Sequence, residues 1–308
     1  MHRSQFRFSL LSLLLITFAS CTTVAQRSEV SLQQKLEQAL QGFRGTAGVY
    51  VRHIPSGLTA SVNADTLFPT ASMIKVPILV GTFDKIERGE LKYDQELVYR
   101  DSLKYDDGIS GSWKDSTKMP LAEIVTLMIC FSDNTASLWL QALAGTGTRI
   151  NELMEANGLH RTRVNSRTPG REDIRRVFGW GVTTPREMAE LVAGIADGRI
   201  VSPGASEEMQ RVLGTIHWTG EALSQIPPHV KTLSKQGAVD RSKSEVVYVY
   251  ASSGPYVFSL ITKNQEDTRW VNDNEGYMLI RTVSRILWNH FEPGSTWTPN
   301  TDPLRWEK

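Results

Sequence analysis

Cysteine is the scarcest chemistry in this 308-residue chain, with only Cys21 and Cys130 present. Cys21 falls in an N-terminal segment that reads as removed or lipidated, so no intrachain disulfide is expected. Cys130 lies in the helical pattern LAEIVTLMICF and reads as a small core residue, with nothing nearby in sequence to favour its thiolate. Histidine is sparse too: His2, His53, His160, His217, His229 and His290 are far apart. No H-E-x-x-H, C-x-x-C or Walker loop appears, so no metal and no cofactor are expected. A triad assembled around one histidine across the sequence stays open as an alternative. Excess charge of one sign is also missing. Lys plus Arg is 34 against 33 for Asp plus Glu, without long like-charged runs, which argues against a nucleic-acid partner. No internal repeat or low-complexity block is visible.

The apolar run from Phe8 to Ala19 is too short for a good membrane span. Arg3 and Arg7 precede it, and small residues follow, the pattern of a secretory signal that delivers the protein to the bacterial periplasm. Two cleavage readings stand. Cys21 after Phe18-Ala19-Ser20 resembles a lipoprotein box, which would place a lipid on Cys21 and end the leader at residue 20. A cut after Thr23-Val24-Ala25 would release a soluble protein instead. Residues 21–30 read as a flexible segment and 294–308 as a polar tail.

Between them, 40% hydrophobic and 22% charged residues describe an ordinary globular chain. SLQQKLEQALQGF spaces Leu32, Leu36, Leu40 and Phe43 as a helix. TAGVYVRHI and LTASVNAD alternate as strands about Pro55-Ser56-Gly57. A run of helical patterns follows, and strands return in SEVVYVYASS and YVFSLITKN before the last helix, EGYMLIRTVSRILWNHF. Strand runs separated by a helical insert predict an α+β fold. Residues 31–66 and 216–293 would share one antiparallel sheet, residues 67–215 would form an all-helical lobe, and the cleft between them is the natural site.

Three short motifs carry chemistry. In PTASMIKVP, Ser72 and Lys75 are one helical turn apart and share a face. A serine hydroxyl needs a base within reach to become a nucleophile, and a lysine whose pKa is lowered by burial can be that base. The competing reading is a capped helix with a surface lysine. In FSDNTAS, Ser132, Asp133 and Asn134 precede another helix. They read either as a cap or as a proton relay (Ser132) and an amide contact for substrate and Lys75 (Asn134). In SKQGAVD, Lys235 reads as an edge charge or as the binder of a substrate carboxylate, while Gly237 permits close backbone approach. GISGS at 108–112 misses the nucleophile-elbow pattern, because Ser112 stands where glycine is needed.

With S-x-x-K, S-D-N and K-Q-G in this order, the chain resembles the class A β-lactamase and penicillin-binding-protein superfamily, whose set is S-x-x-K, S-D-N and K-T-G. The likeness extends through FPTASMIKVPI and CFSDNTASLWLQALAG and covers roughly residues 31–293. It implies a monomeric serine hydrolase that opens β-lactams, or peptidoglycan-peptide-like substrates, through an acyl group on Ser72. Lys75 and Ser132 would move protons, Asn134, Lys235 and Gln236 would hold substrate, and the N–H groups of Ser72 and Ala238 would form the oxyanion hole. A D,D-peptidase or esterase with slow release of the same acyl group is the alternative enzyme, and a non-catalytic binder of cell-wall peptide the alternative class. Two departures stand out. Gln236 replaces the family's hydroxyl, and the ungapped register puts Ser244 where many class A enzymes carry arginine, with Arg241 and Lys243 close by.

The segment NSRTPGREDIRRVFGWGVTTP, residues 165–185, occupies the place of the loop that carries E-x-x-x-N in class A enzymes. In ungapped register the family's Glu falls on Thr168 and its Asn on Glu172. The resemblance therefore suggests Glu172 as a relocated base for deacylation. The alternative is a surface glutamate paired with Arg171, Arg175 or Arg176.

Overall fold

The computed structural model describes residues 32–300. The expected leader, Cys21 and the end of the polar tail lie outside the described residues. Helix α1 (32–40) opens the fold. A five-stranded antiparallel sheet follows, in the order β2 (Thr59–Val62), β1 (Thr46–His53), β10 (Tyr256–Lys263), β9 (Ser242–Val249), β8 (Thr232–Val239). The N-terminal and C-terminal strands thus share one sheet, as expected. The register pairs Val49 with Leu260, Tyr256 with Val249, and Gly237 with Ser244.

The sheet is covered on both faces, so β9 is buried along its whole length. Alternate residues separate the two cores. Val247 and Val249 pack with Leu32 and Leu36 of α1 and with Leu279, Val283 and Leu287 of α9 (Glu275–Phe291). The 3–4 spacing of those leucines and valines is what makes α1 and α9 one-sided helices. Val246 and Tyr248 face the other core, shared with Met188, Leu191 and Ile195 of α7 (Pro185–Ala196).

The middle of the chain holds α2 (Lys75–Glu87), α3 (Leu121–Cys130), α4 (Asn134–Leu143), α5 (Thr146–Ala156) and α8 (Pro203–Leu213). Residues 75–83 of α2 are buried without a break, which marks it as the central helix of this lobe. The lobe is not purely helical. Short strands β3 (Phe68–Pro69), β6 (Arg163–Val164) and β7 (Gly181–Thr183) form one small sheet, and β4 (Glu96–Val98) pairs with β5 (Lys118–Pro120). Runs of two or three residues are too short to leave an alternation in the sequence. The segment 165–185 is likewise not one open loop, since it holds helix α6 (Glu172–Phe178) and β7.

Candidate active site

Ser72 sits in a tight 3-10 turn, Ala71–Ile74, that runs directly into α2. Ala71 before it has φ +44°, a strained value for a residue with a side chain. The turn lies against β8. A Cβ placed on Gly237 would stand 2.6 Å from the Thr70 carbonyl oxygen and 2.9 Å from the Ser72 nitrogen. Glycine at 237 is therefore required by the close approach of the Ser72 N–H to this edge strand. Ala238, the next residue, borders the cleft together with Ser72.

Lys75 is fully buried. Its Nζ lies 3.1 Å from Ser72 Oγ, 2.5 Å from the Ser132 carbonyl oxygen, 3.1 Å from Ser132 Oγ and 2.8 Å from Asn134 Oδ1. Ser132 reaches Lys75 twice because its backbone is left-handed, with φ +60°. Burial pushes the Lys75 ammonium down to about 7, against the pull of Asp133 and Asp106. A neutral amine has two N–H groups. Ser132 O and Asn134 Oδ1 are acceptors only and take both of them, which leaves the lone pair for a hydroxyl. Lys75 is thereby prepared to receive the Ser72 proton.

Lys235 is fully buried in the middle of β8. Its Nζ donates to Ser132 Oγ at 3.1 Å, to the Gln236 carbonyl at 3.0 Å and to Gln236 Oε1 at 2.8 Å. The Gln236 amide oxygen is thus turned to Lys235 and its NH2 is the end left to donate. Burial, then the nearby Lys75, hold the Lys235 pKa well below its usual value. Ser132 stands between the two lysines. Ser72, Lys75, Ser132, Asn134, Lys235, Gln236, Gly237 and Ala238, named from sequence, are all brought together.

Asp133 acts as the cap of α4, accepting the Ala136 N–H, and also receives the Ser110 N–H and hydroxyl. The near-miss GISGS segment is therefore a structural strap and not a nucleophile elbow. Asn134 Nδ2 donates to Asp106 Oδ2 at 2.7 Å, which fixes the amide so that its oxygen meets Lys75. The Asp106 contact has no motif to announce it. Cys130 is buried against Thr215 and its thiol is pushed up by burial, as suits a core residue.

A cleft of about 520 Å³ opens over Ser72. Tyr105, Val177, Phe178, Trp180 and Val239 give it an apolar wall, and Arg241 lies at its border. Tyr105 and Trp180 meet edge to face, with ring centroids 5.0 Å apart. Of the two cations near the missing family arginine, only Arg241 reaches this border. Lys243 is buried, bonded to the Val239 carbonyl and set over Trp270, and Ser244 is spent on the Gly237 carbonyl.

Glu172 is not among the residues that line this cleft. Helix α6 starts at Glu172, and none of its seven residues is buried. The Glu172 carboxylate accepts the Gly170 N–H at 3.2 Å, a local contact at the first turn of the helix. The arginine pairing fares no better: Asp173 takes Arg176, and Arg171 donates to Asn165. Thr168 is buried, with Oγ1 donating to the Ser166 carbonyl. It is the end of this segment, Val177 to Trp180, that borders the cleft. No Asp or Glu is among the cleft-lining residues. Glu172→Gln is therefore expected to leave the lifetime of an acyl adduct unchanged when followed by intact mass; a much longer-lived adduct in the variant would return Glu172 to the mechanism.

The chain is similar to known proteins over most of its length. The model of the Beta-lactamase enzyme family matches residues 31–291. Beta-lactamase VEB-1 of Pseudomonas aeruginosa is 22% identical over 299 residues, covering 92% of this chain and 97% of that protein. Among solved structures, PBP-A is 28% identical with a TM-score of 0.76, covering 85% of this chain and 96% of its own. A beta-lactamase from Sphaerobacter thermophilus shares the fold at a TM-score of 0.74 and 22% identity, covering 84% and 96%. With the serine turn, the two buried lysines and the β8 edge in place, and a family model spanning nearly all described residues, the chain belongs to the β-lactamase enzyme family of serine hydrolases.

Proposed function

We propose that this chain is a serine β-lactamase of the class A type, acylated on Ser72. The observation that carries the reading is the Lys75 amine, buried, held near neutrality and within 3.1 Å of Ser72 Oγ. As Ser72 Oγ adds to the lactam carbonyl, its proton passes to Lys75, directly or through Ser132. The N–H groups of Ser72 and Ala238 receive the developing oxyanion. The C–N bond then breaks, and Ser132, supplied by Lys75 and Lys235, delivers a proton to the leaving nitrogen. Lys235 and Gln236 hold the substrate carboxylate. Water then adds to the ester carbonyl as neutral Lys75 takes one of its protons, and Lys75 returns that proton to Ser72 Oγ as the C–O bond breaks and the product leaves as the acid. Residues 31–293 would form the catalytic unit. The basic start and apolar run support export to the periplasm, with the protein either released or anchored through Cys21.

One observation favours a second reading, a D,D-peptidase or esterase that releases its acyl group slowly: Thr168 stands where the family register puts its glutamate, and it is buried with its hydroxyl on the Ser166 carbonyl. A PBP-A mutant has been solved as an acyl-enzyme with penicillin G, and PBP-A shares this fold. A purely binding role has no such support, since Lys75 stands 3.1 Å from Ser72 Oγ and both lysines reach Ser132 Oγ. Intact-mass analysis with a penicillin separates the readings. Mass gain followed by rapid recovery of free protein supports the β-lactamase, a persistent one-to-one adduct supports slow release, and no adduct together with no opened penicillin would contradict both.

A further inference from the structure

Residues 133–135, at the start of α4, are held one by one from a single connection, residues 105–110. Asp133 receives the Ser110 N–H and hydroxyl, and Thr135 Oγ1 accepts the Tyr105 N–H at 3.1 Å. Between them, Asn134 Nδ2 donates to Asp106 Oδ2 at 2.7 Å. The placement of Asp106 is itself built in. Its Oδ1 accepts the Gly108 N–H at 3.2 Å. Its carbonyl oxygen packs so tightly on Gly111 that a Cβ there would stand 1.8 Å away. The chemistry proposed above uses Ser72, Lys75, Ser132 and Lys235 and gives Asp106 no part.

An asparagine amide can sit in either of two orientations, and the two are chemically opposite. With Oδ1 toward Lys75, as here at 2.8 Å, the amide takes one N–H of the neutral amine and leaves the lone pair to the Ser72 hydroxyl. Turned over, it would present an N–H to Lys75, which occupies that lone pair and repels the cation. A neutral amine both donates and accepts, so Lys75 alone does not choose between the orientations. Asp106 does choose, because a carboxylate only accepts. We propose that Asp106 is a positioning residue for acylation, holding Asn134 in the one orientation that keeps Lys75 available as the base. Asn134 borders the cleft over Ser72 and Asp106 is not among its lining residues, so Asp106 acts through Asn134.

Resting on the acyl-serine reading, the proposal is tested on the full chain with a penicillin. Rapid-quench intact mass follows acylation of wild type, Asp106→Asn, Asn134→Ala and the double variant. Asp106→Asn keeps the shape but offers Asn134 a donor as readily as an acceptor. Acylation is expected to slow about tenfold or more, the usual worth of a hydrogen bond to a charged group. In the Asn134→Ala background the same change is expected to have no further effect, since the two residues work as one unit. The charges around Lys75 are Asp106, Asp133 from the turn before α4 and Lys235 from β8, and the two carboxylates favour its cation. The rise of acylation with pH is therefore expected to move to lower pH in Asp106→Asn, a change that a merely structural role would not produce. Acylation of Asp106→Asn at the wild-type rate, equal slowing with and without Asn134, or an unmoved pH midpoint overturns the proposal. Wild-type protein that is never acylated would instead sink the acyl-serine reading. Neutron diffraction from wild-type crystals tests the orientation independently of acylation and of any variant's folding. Two deuterons on the Asn134 side-chain atom facing Asp106 are expected, and deuterons on the atom facing Lys75 overturn the proposal.

Discussion

Lys75→Met is expected to slow acylation of Ser72 by about 10²–10⁴-fold, the usual contribution of a positioned general base. The methionine stem fills much of the same volume but carries no lone pair for the Ser72 proton. The wild-type pH dependence follows from the same residue. Lys75 must be neutral to accept the proton, and burial brings its pKa to about 7, so acylation rises with pH through that value. The fold responds with a related sign. A lysine whose folded pKa lies below its unfolded value binds fewer protons when folded, so its penalty is full below pH 7 and fades as pH rises toward 10.5. Lys75→Met should therefore remove the part of the stability gain seen between pH 7 and 10.5 in denaturant unfolding. A variant acylated as fast as wild type would exclude Lys75 as the base.

Gly237→Ala carries the second large effect. The added Cβ would stand 2.6 Å from the Thr70 carbonyl and 2.9 Å from the Ser72 nitrogen, and both contacts are with backbone that cannot rotate away. The β8 edge must then move from the serine turn, which separates the Ser72 and Ala238 N–H groups that would hold the oxyanion. Loss of one oxyanion donor costs about 10²–10³ in rate. Overpacking adds about 1–3 kcal/mol of destabilisation. Single-turnover acylation and thermal unfolding measure the two parts separately. An unchanged acylation rate in a folded Gly237→Ala protein would argue that the close approach has no catalytic consequence.

Much of this site was legible because its parts are local motifs. Ser72 and Lys75 are one turn apart, so the helix alone joins them. Ser132, Asn134 and Lys235 needed the resemblance to place them, and the fold brings them to the same amine and hydroxyl. Glu172 shows where register stops being geometry. An ungapped alignment set it beside the family's asparagine, but a helix beginning at Glu172 turns the carboxylate to its own Gly170 N–H. Tyr105, Trp180 and Asp106 lie in irregular segments, where no periodicity announces which side chains face a cleft.

The central claim is an acyl group on Ser72. Peptide mapping by mass spectrometry after brief exposure to a penicillin, run on wild type and Ser72→Ala, tests it most directly. The expected result is one penicilloyl group on the peptide holding Ser72 in wild type, and none on Ser72→Ala. An adduct on another residue, or one that survives in Ser72→Ala, would contradict it.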